Sequence, residues 1–196
     1  MQKDSLKKLL RSNNGQITRQ QILQAGIDPH LLVELTRTGS LERVDRGVYI
    51  DPEIFEDDMY ILQYRFSKGV FFKDSALFLH GMIDRTPGIY EMNFPQSYHP
   101  TAIGRYPVKV YRQKPEWQKI GVELVKSPGN HLVRTYNVER TLCDLLRTRD
   151  ASDVETIKQA MVYFAQMKNK DLHRLSEYAD IFKVKDKIRA YMEVLL

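Results

Sequence analysis

The hydrophobic spacing opens with three short helical patterns. Leu6, Leu9 and Leu10 share one face of a first helix, closed by Asn13-Asn14-Gly15, residues that tolerate the left-handed conformation. Thr18 can cap a second helix with Ile22 and Leu23 turned inward and Arg19, Gln20 and Gln24 left in water. Ala25-Gly26-Ile27 reads as a turn into a third helix, which Asp28-Pro29 starts with a cap and a proline at its first position. Leu31, Leu32 and Leu35 form its buried stripe, His30, Val33, Glu34 and Arg37 share the opposite face, and Gly39 stops it. A hairpin follows from Leu41 to Ile50, with Leu41, Val44, Val48 and Ile50 as apolar positions and Asp45-Arg46-Gly47 as the turn. Gly47 is expected at a positive φ, which its β-branched neighbours would resist.

Two helices joined by a tight turn, then an arginine-tipped hairpin, predict a winged helix-turn-helix over residues 1–52. Arg19, Gln20, His30 and Arg37 are the candidates for a DNA groove, with Gln24 in the same DNA-facing set. Arg43 and Arg46 suit the phosphates beside it, and Lys3, Lys7 and Lys8 are further phosphate candidates on the first helix. A solvated helix face accounts for those lysines equally well. Small three-helix heads with a hairpin also serve protein–protein contacts, and charged wings are often only solvated.

After the hairpin the pattern changes. Residues 51–62 hold five acids (Asp51, Glu53, Glu56, Asp57, Asp58) and no base, yet Ile54, Phe55, Met59, Tyr60 and Leu62 are too apolar for a disordered linker. The stretch predicts a domain boundary and a helix running to about Lys68, its carboxylates at the positive end of the helix dipole. Beyond it, Val70-Phe71-Phe72, Tyr90–Phe94, Val108–Arg112, Gly121–Val125 and His131–Tyr136 read as strands, and Ser75–His80 as a short helix ended by Gly81. From Val138 onward four helical patterns succeed one another: Val138–Leu146, then Val154–Phe164 behind the cap pair Ser152-Asp153, then Leu172–Ala179, then Ile188–Leu196. The fold class expected is α+β: a winged helix-turn-helix head, then a mixed α/β body over 53–196 that ends in helices.

Charge sharpens this picture. The chain of 196 residues carries a formal +5, which favours a polyanionic partner without proving one. Residues 1–50 hold eight bases against five acids, and residues 63–140 hold twelve against six. In the second region the cations are interleaved with aromatics: Arg85, Arg105-Tyr106, Lys109, Tyr111-Arg112, and Arg134 near Tyr136. That mixture suits stacking and charge contacts to RNA or a nucleotide, or equally a sheet with one wet face.

Other classes are disfavoured. Cys143 is alone, so there is no disulfide framework and no Cys-rich zinc site, and its apolar helical setting fits a core thiol. No phosphate-cradling glycine loop, HExxH, GxSxG or paired CxxC is present, and no Gly-Ser followed by two close aspartates. The chain is therefore expected not to be an enzyme and to need no cofactor or metal, although a site assembled from distant residues stays open. His80 is expected to bond locally near a helix end, and His99 and His131 to sit in or beside loops as surface residues or anion contacts. With no signal peptide and no apolar run near the ~20 residues that span a bilayer, a cytoplasmic protein is expected.

Blocks of sequence in this order also resemble the AbiEi antitoxins of bacterial abortive-infection toxin–antitoxin systems. They are the wing Leu41–Ile50, Ala76-Leu77-Phe78-Leu79-His80-Gly81-Met82 with Asp84-Arg85-Thr86-Pro87, Phe94-Pro95, and Tyr136-Asn137-Val138-Glu139-Arg140-Thr141-Leu142-Cys143-Asp144-Leu145-Leu146. The resemblance covers most of the chain and is poorest after about residue 151. It implies a winged helix that represses its own operon through inverted repeats, with more than one copy on the operator, and a C-terminal domain that supplies the antitoxin effect. It also implies a nucleotidyltransferase-like toxin, a functional partner that a type IV antitoxin opposes without a stable complex. Joined to the interleaved cations, that toxin class makes Arg85, Arg105, Lys109, Arg112 and Arg134 a candidate antitoxin patch. The competing reading is a winged-helix regulator whose body senses a ligand or dimerises and has no toxin.

Overall fold

The computed structural model describes residues 2–147 and 152–195, in an α+β chain of two compact units. One unit contains residues 1–65 together with 126–132; the other contains 66–125 and 133–196.

In the first unit, helices α1 (Gln2–Ser12), α2 (Arg19–Gln24) and α3 (His30–Arg37) are interleaved with strands β1 (Gln16–Thr18), β2 (Glu42–Asp45) and β3 (Val48–Ile50), and α4 (Asp58–Arg65) follows. The strands form an antiparallel sheet in the order β1-β3-β2. Leu6, Ile17, Ile22, Ile27, Leu31, Leu32 and Leu41 make its core. Strand β1 was not expected. Thr18 serves both elements: it pairs with Val48 in the sheet, and its hydroxyl accepts from the Gln21 N–H at 3.2 Å while the Gln21 side chain accepts from the Thr18 N–H at 2.8 Å. This reciprocal cap is worth about 1 kcal/mol. The expected helix to Lys68 ends at Arg65, and this unit keeps α4 with the head, beyond the boundary expected after residue 52.

A buried polar cluster fixes the turn 126–132 within this unit. The Nδ1 of His131 lies 2.7 Å from Asp57 Oδ2 and its Nε2 lies 2.9 Å from the Asn13 carbonyl. Ser127 also donates to that Asp57 oxygen, and Tyr60 stacks on the imidazole at 4.2 Å. His131 is thus buried and engaged, not the surface or anion-contacting residue expected. Because both ring nitrogens face oxygen acceptors, both must carry protons, and the ring is an imidazolium. Burial alone lowers its pKa, but the hydrogen bonds to Asp57 and the Asn13 carbonyl, with the charge of Asp57, outweigh this and leave it raised. A raised histidine pKa stabilises the fold fully below the ordinary value and stops doing so as pH rises through the folded-state value. The thermal midpoint of the wild-type chain is therefore expected to fall as pH rises from about 6 through the neutral range, and that of His131→Gln to start lower and stay flat. Parallel pH profiles for the two proteins would contradict the assignment.

The second unit runs through β4 (Val70–Phe71), α5 (Lys73–Leu79), β5 (Tyr90–Pro95), β6 (Val108–Gln113), the short α6 (Pro115–Gln118), β7 (Val122–Lys126) and β8 (Leu132–Tyr136). Helices α7 (Val138–Leu145), α8 (Val154–Gln166), α9 (Leu172–Ile181) and α10 (Lys185–Leu195) follow. Its sheet has the order β6-β5-β4-β8-β7, with β5 parallel to β6 and antiparallel to β4. Helices α7, α8 and α9 start where side-chain oxygens accept from their first turns: Asn137 from Arg140 N–H, Asp153 from Thr156 N–H, and Asp171 from Arg174 N–H. Their apolar faces meet around Leu142, Leu145, Ala160, Met161 and Phe164, all fully buried. Cys143 is fully buried there, and its pKa is pushed far up by burial and by Asp144, which fits the inert core thiol expected. His80 reaches beyond its own helix end to the Tyr136 carbonyl at 2.7 Å.

Candidate nucleic-acid interface

Helix α3 begins where an Asp28 carboxylate oxygen accepts from the His30 N–H at 2.9 Å, with Pro29 in helical conformation beside it. Leu31 and Leu32 are buried, so His30, Val33, Glu34 and Arg37 are left on the exposed face. Val33 is 67% exposed. An apolar side chain among polar ones on such a face is the group that can meet a thymine methyl, while Arg37 and Glu34 can read base-edge acceptors and donors. Gln20 and Gln24 are exposed on α2.

The β2–β3 turn is built by Asp45, which accepts from the Arg46 N–H, and by Gly47 at φ 79°. A side chain at Gly47 would adopt a strained conformation and press the Tyr64 hydroxyl at 3.3 Å. The Gly47 carbonyl accepts from the Arg19 N–H at 2.8 Å, which brings the start of α2 to the turn. The result is a depression of about 450 Å³ lined by Arg19, Arg43, Arg46, Tyr49, Tyr64 and Arg65, with Gly47 at its edge. Arg43 donates to the Asp45 carbonyl at 3.3 Å, and Arg65 lies 3.7 Å from the Asp45 carboxylate. Four guanidinium groups and two tyrosines surround one hollow, with no carboxylate among its described lining residues, a chemistry that suits phosphate oxygens.

Residues 4–50 match the family model described as transcriptional regulator, AbiEi antitoxin. The head is thus similar to that of the AbiEi antitoxins. The whole chain is also similar to a crystal structure of the RV2827C protein from Mycobacterium tuberculosis, at 17% identity and a TM-score of 0.49, over 95% of this chain and 78% of that one. Likeness at that level says nothing about function. No curated protein matches the chain.

Within the head, three of the expected DNA-facing residues (Arg19, Arg43 and Arg46) meet in the depression, and His30 and Arg37 share the α3 face. Tyr49, Tyr64 and Arg65 were not singled out. Tyr64 and Arg65 lie in α4, beyond the expected boundary, where their only sequence signal is an aromatic–cation pair closing an amphipathic helix. Lys3 is bound to Glu34 of α3 at 2.8 Å, an exposed pair of little energetic weight. Lys7 and Lys8 are exposed on α1.

The five cations expected as one patch in the second unit are scattered in their roles. Lys109 and Arg112 line a common hollow with Lys73 and Arg147. Arg134 is half-buried and donates to the Gly69 carbonyl at 3.3 Å, burial lowering its pKa, and it does not line that hollow. Arg85 and Arg105 are exposed and do not line that hollow. Among the described residues no group of three or more His, Cys, Asp or Glu could hold a metal ion, and no helix is long and apolar enough to cross a membrane.

Proposed function

We propose that the chain is the antitoxin of a type IV, AbiE-like toxin–antitoxin system and represses its own operon. On this reading the head is a winged helix-turn-helix: the exposed face of α3 enters a major groove, and the turn between β2 and β3 lies on the sugar–phosphate backbone. The observation that carries it is the arginine-lined depression, within the same unit as the α3 face and largely within the segment matched by the AbiEi family model. The operator holds inverted repeats and takes more than one copy. The second unit opposes a nucleotidyltransferase-like toxin without needing a stable complex with it. The chain is then no enzyme, works in the cytoplasm, and serves abortive infection as a phage defence.

Co-expression with the neighbouring nucleotidyltransferase gene tests both halves. The wild-type chain is expected to restore growth and silence a reporter behind its own promoter, and Arg43→Ala with Arg46→Ala to lose silencing while still restoring growth. No restoration by the wild-type chain would overturn the antitoxin half. Silencing without restoration would support the second reading, a winged-helix regulator with a ligand-sensing body, which is favoured by the polar hollow around Lys73 and Lys109.

A further inference from the structure

We propose that the second unit binds a nucleoside phosphate in a polar cleft between the start of α5 and the edge strand β6. Two adjoining hollows of about 320 and 340 Å³ share Lys73, Lys109 and Tyr111, a combined size that suits a mononucleotide. The first hollow is cationic: Lys73, Lys109, Arg112 and Arg147 line it, with Asp144 as its only carboxylate among the described residues. The second is acidic, with Asp74, Glu91 and Asp153. A ligand matching both needs a polyanionic end and an end that donates O–H or N–H groups. Phosphates on a ribose supply that pair.

The walls are pre-organised. Glu91 accepts from the Asp74 N–H at 3.0 Å and from the Tyr111 hydroxyl at 2.6 Å, and lies 3.3 Å from the Lys109 ammonium. One carboxylate oxygen of Asp74, by contrast, is out of solvent and has no hydrogen-bond partner among the described residues. Burial, then the charges of Glu91 and Asp153, raise the pKa of Asp74, as for an acceptor awaiting a donor. Lys73 is buried, with its ammonium 4.9 Å from the Tyr111 ring centroid and 5.7 Å from that of Phe72. Its backbone is left-handed, at φ 45°. Strained backbone of this kind in a non-glycine residue clusters at ligand-binding sites, where the surroundings over-determine it.

The proposal stands apart from the DNA reading of the head, and titration calorimetry of the full chain separates the two. The probes are ribonucleoside triphosphates and monophosphates, inorganic pyrophosphate, and the bare nucleosides. At least one nucleotide is expected to bind about tenfold or more tightly than pyrophosphate or its nucleoside. Lys109→Gln with Arg112→Gln, both exposed positions, should weaken that binding at least about tenfold, with the folded circular-dichroism spectrum retained. Asp74→Asn should weaken the nucleotide but not pyrophosphate, and Arg43→Ala with Arg46→Ala should leave nucleotide binding intact. The proposal is overturned if no nucleotide binds at millimolar concentration, if pyrophosphate binds as well as the nucleotide, or if the head variant alone loses binding.

Discussion

Replacing Arg43 and Arg46 by alanine is expected to lower affinity for operator DNA by at least about a hundredfold, since each charge-assisted contact to phosphate is worth on the order of 1.5–3 kcal/mol. The salt dependence is the sharper signature. Every phosphate contact removed takes about 0.9 off the slope of log affinity against log salt, so the double variant should titrate about two units flatter than wild type. The loss should fall equally on operator and unrelated duplexes, because wing cations touch backbone and not base edges. Both side chains are exposed, so the melting profile should not move. Arg65→Ala should add a further step in the same direction, as the arginine that α4 brings to the depression. An unchanged slope in the double variant would show that the depression does not hold phosphates.

The largest effect on stability is expected at Arg140. It is fully buried, and all five of its N–H groups are used: Nε and Nη2 to Asp144 at 2.6 and 3.4 Å, Nη2 also to Gln113 at 2.6 Å, and Nη1 to the carbonyls of Trp117 and Ile120 at 2.7 and 3.1 Å. The guanidinium sits 4.5 Å from the Tyr136 ring centroid and 3.8 Å from that of Phe182. Arg140→Ala leaves the buried Asp144 carboxylate with only Arg147, at 3.5 Å, and strips the donor from Gln113 and from the Trp117 and Ile120 carbonyls, which costs about 3–5 kcal/mol. That is a large share of the roughly 5–15 kcal/mol that holds a domain folded. Arg140→Met with Asp144→Leu removes both charges and should recover part of the loss, because the buried charge imbalance is gone while Gln113 and the Trp117 and Ile120 carbonyls stay without their donor. Denaturant melts of the three proteins decide this, and a single-variant loss under about 1 kcal/mol would contradict the account.

The helices were legible because their signals are local. Thr18, Asp28 and Asp153 each announce a helix start, while the caps Asn137 and Asp171 were not singled out; the leucine spacings identify the buried faces except at Leu23, which was expected inward and is 52% exposed. Strands β5 and β6 were legible by alternation, in Tyr90–Phe94 and Val108–Arg112. What the sequence hid is long-range. Strand β1 has three residues, too few for a pattern, and exists because β3 pairs with it. His131 looked like a loop histidine because its partners, Asp57 and Asn13, lie 74 and 118 residues away. Arg140 and Asp144 have the spacing of any solvated i,i+4 pair, and only the closing of β6, α6 and α9 around them makes them core. The same blindness applied to the interface. Arg19, Arg43 and Arg46 were identifiable from a local motif, whereas Arg65 and Tyr64 join them only through tertiary packing.

The most direct test of the central claim is fluorescence anisotropy of the full chain on a duplex bearing the inverted repeats upstream of its own gene, against a scrambled duplex of equal composition. Tighter binding to the repeats by on the order of 10³ or more, falling steeply with salt, is the result the account predicts. Equal affinity for both duplexes, or none for either, would contradict it.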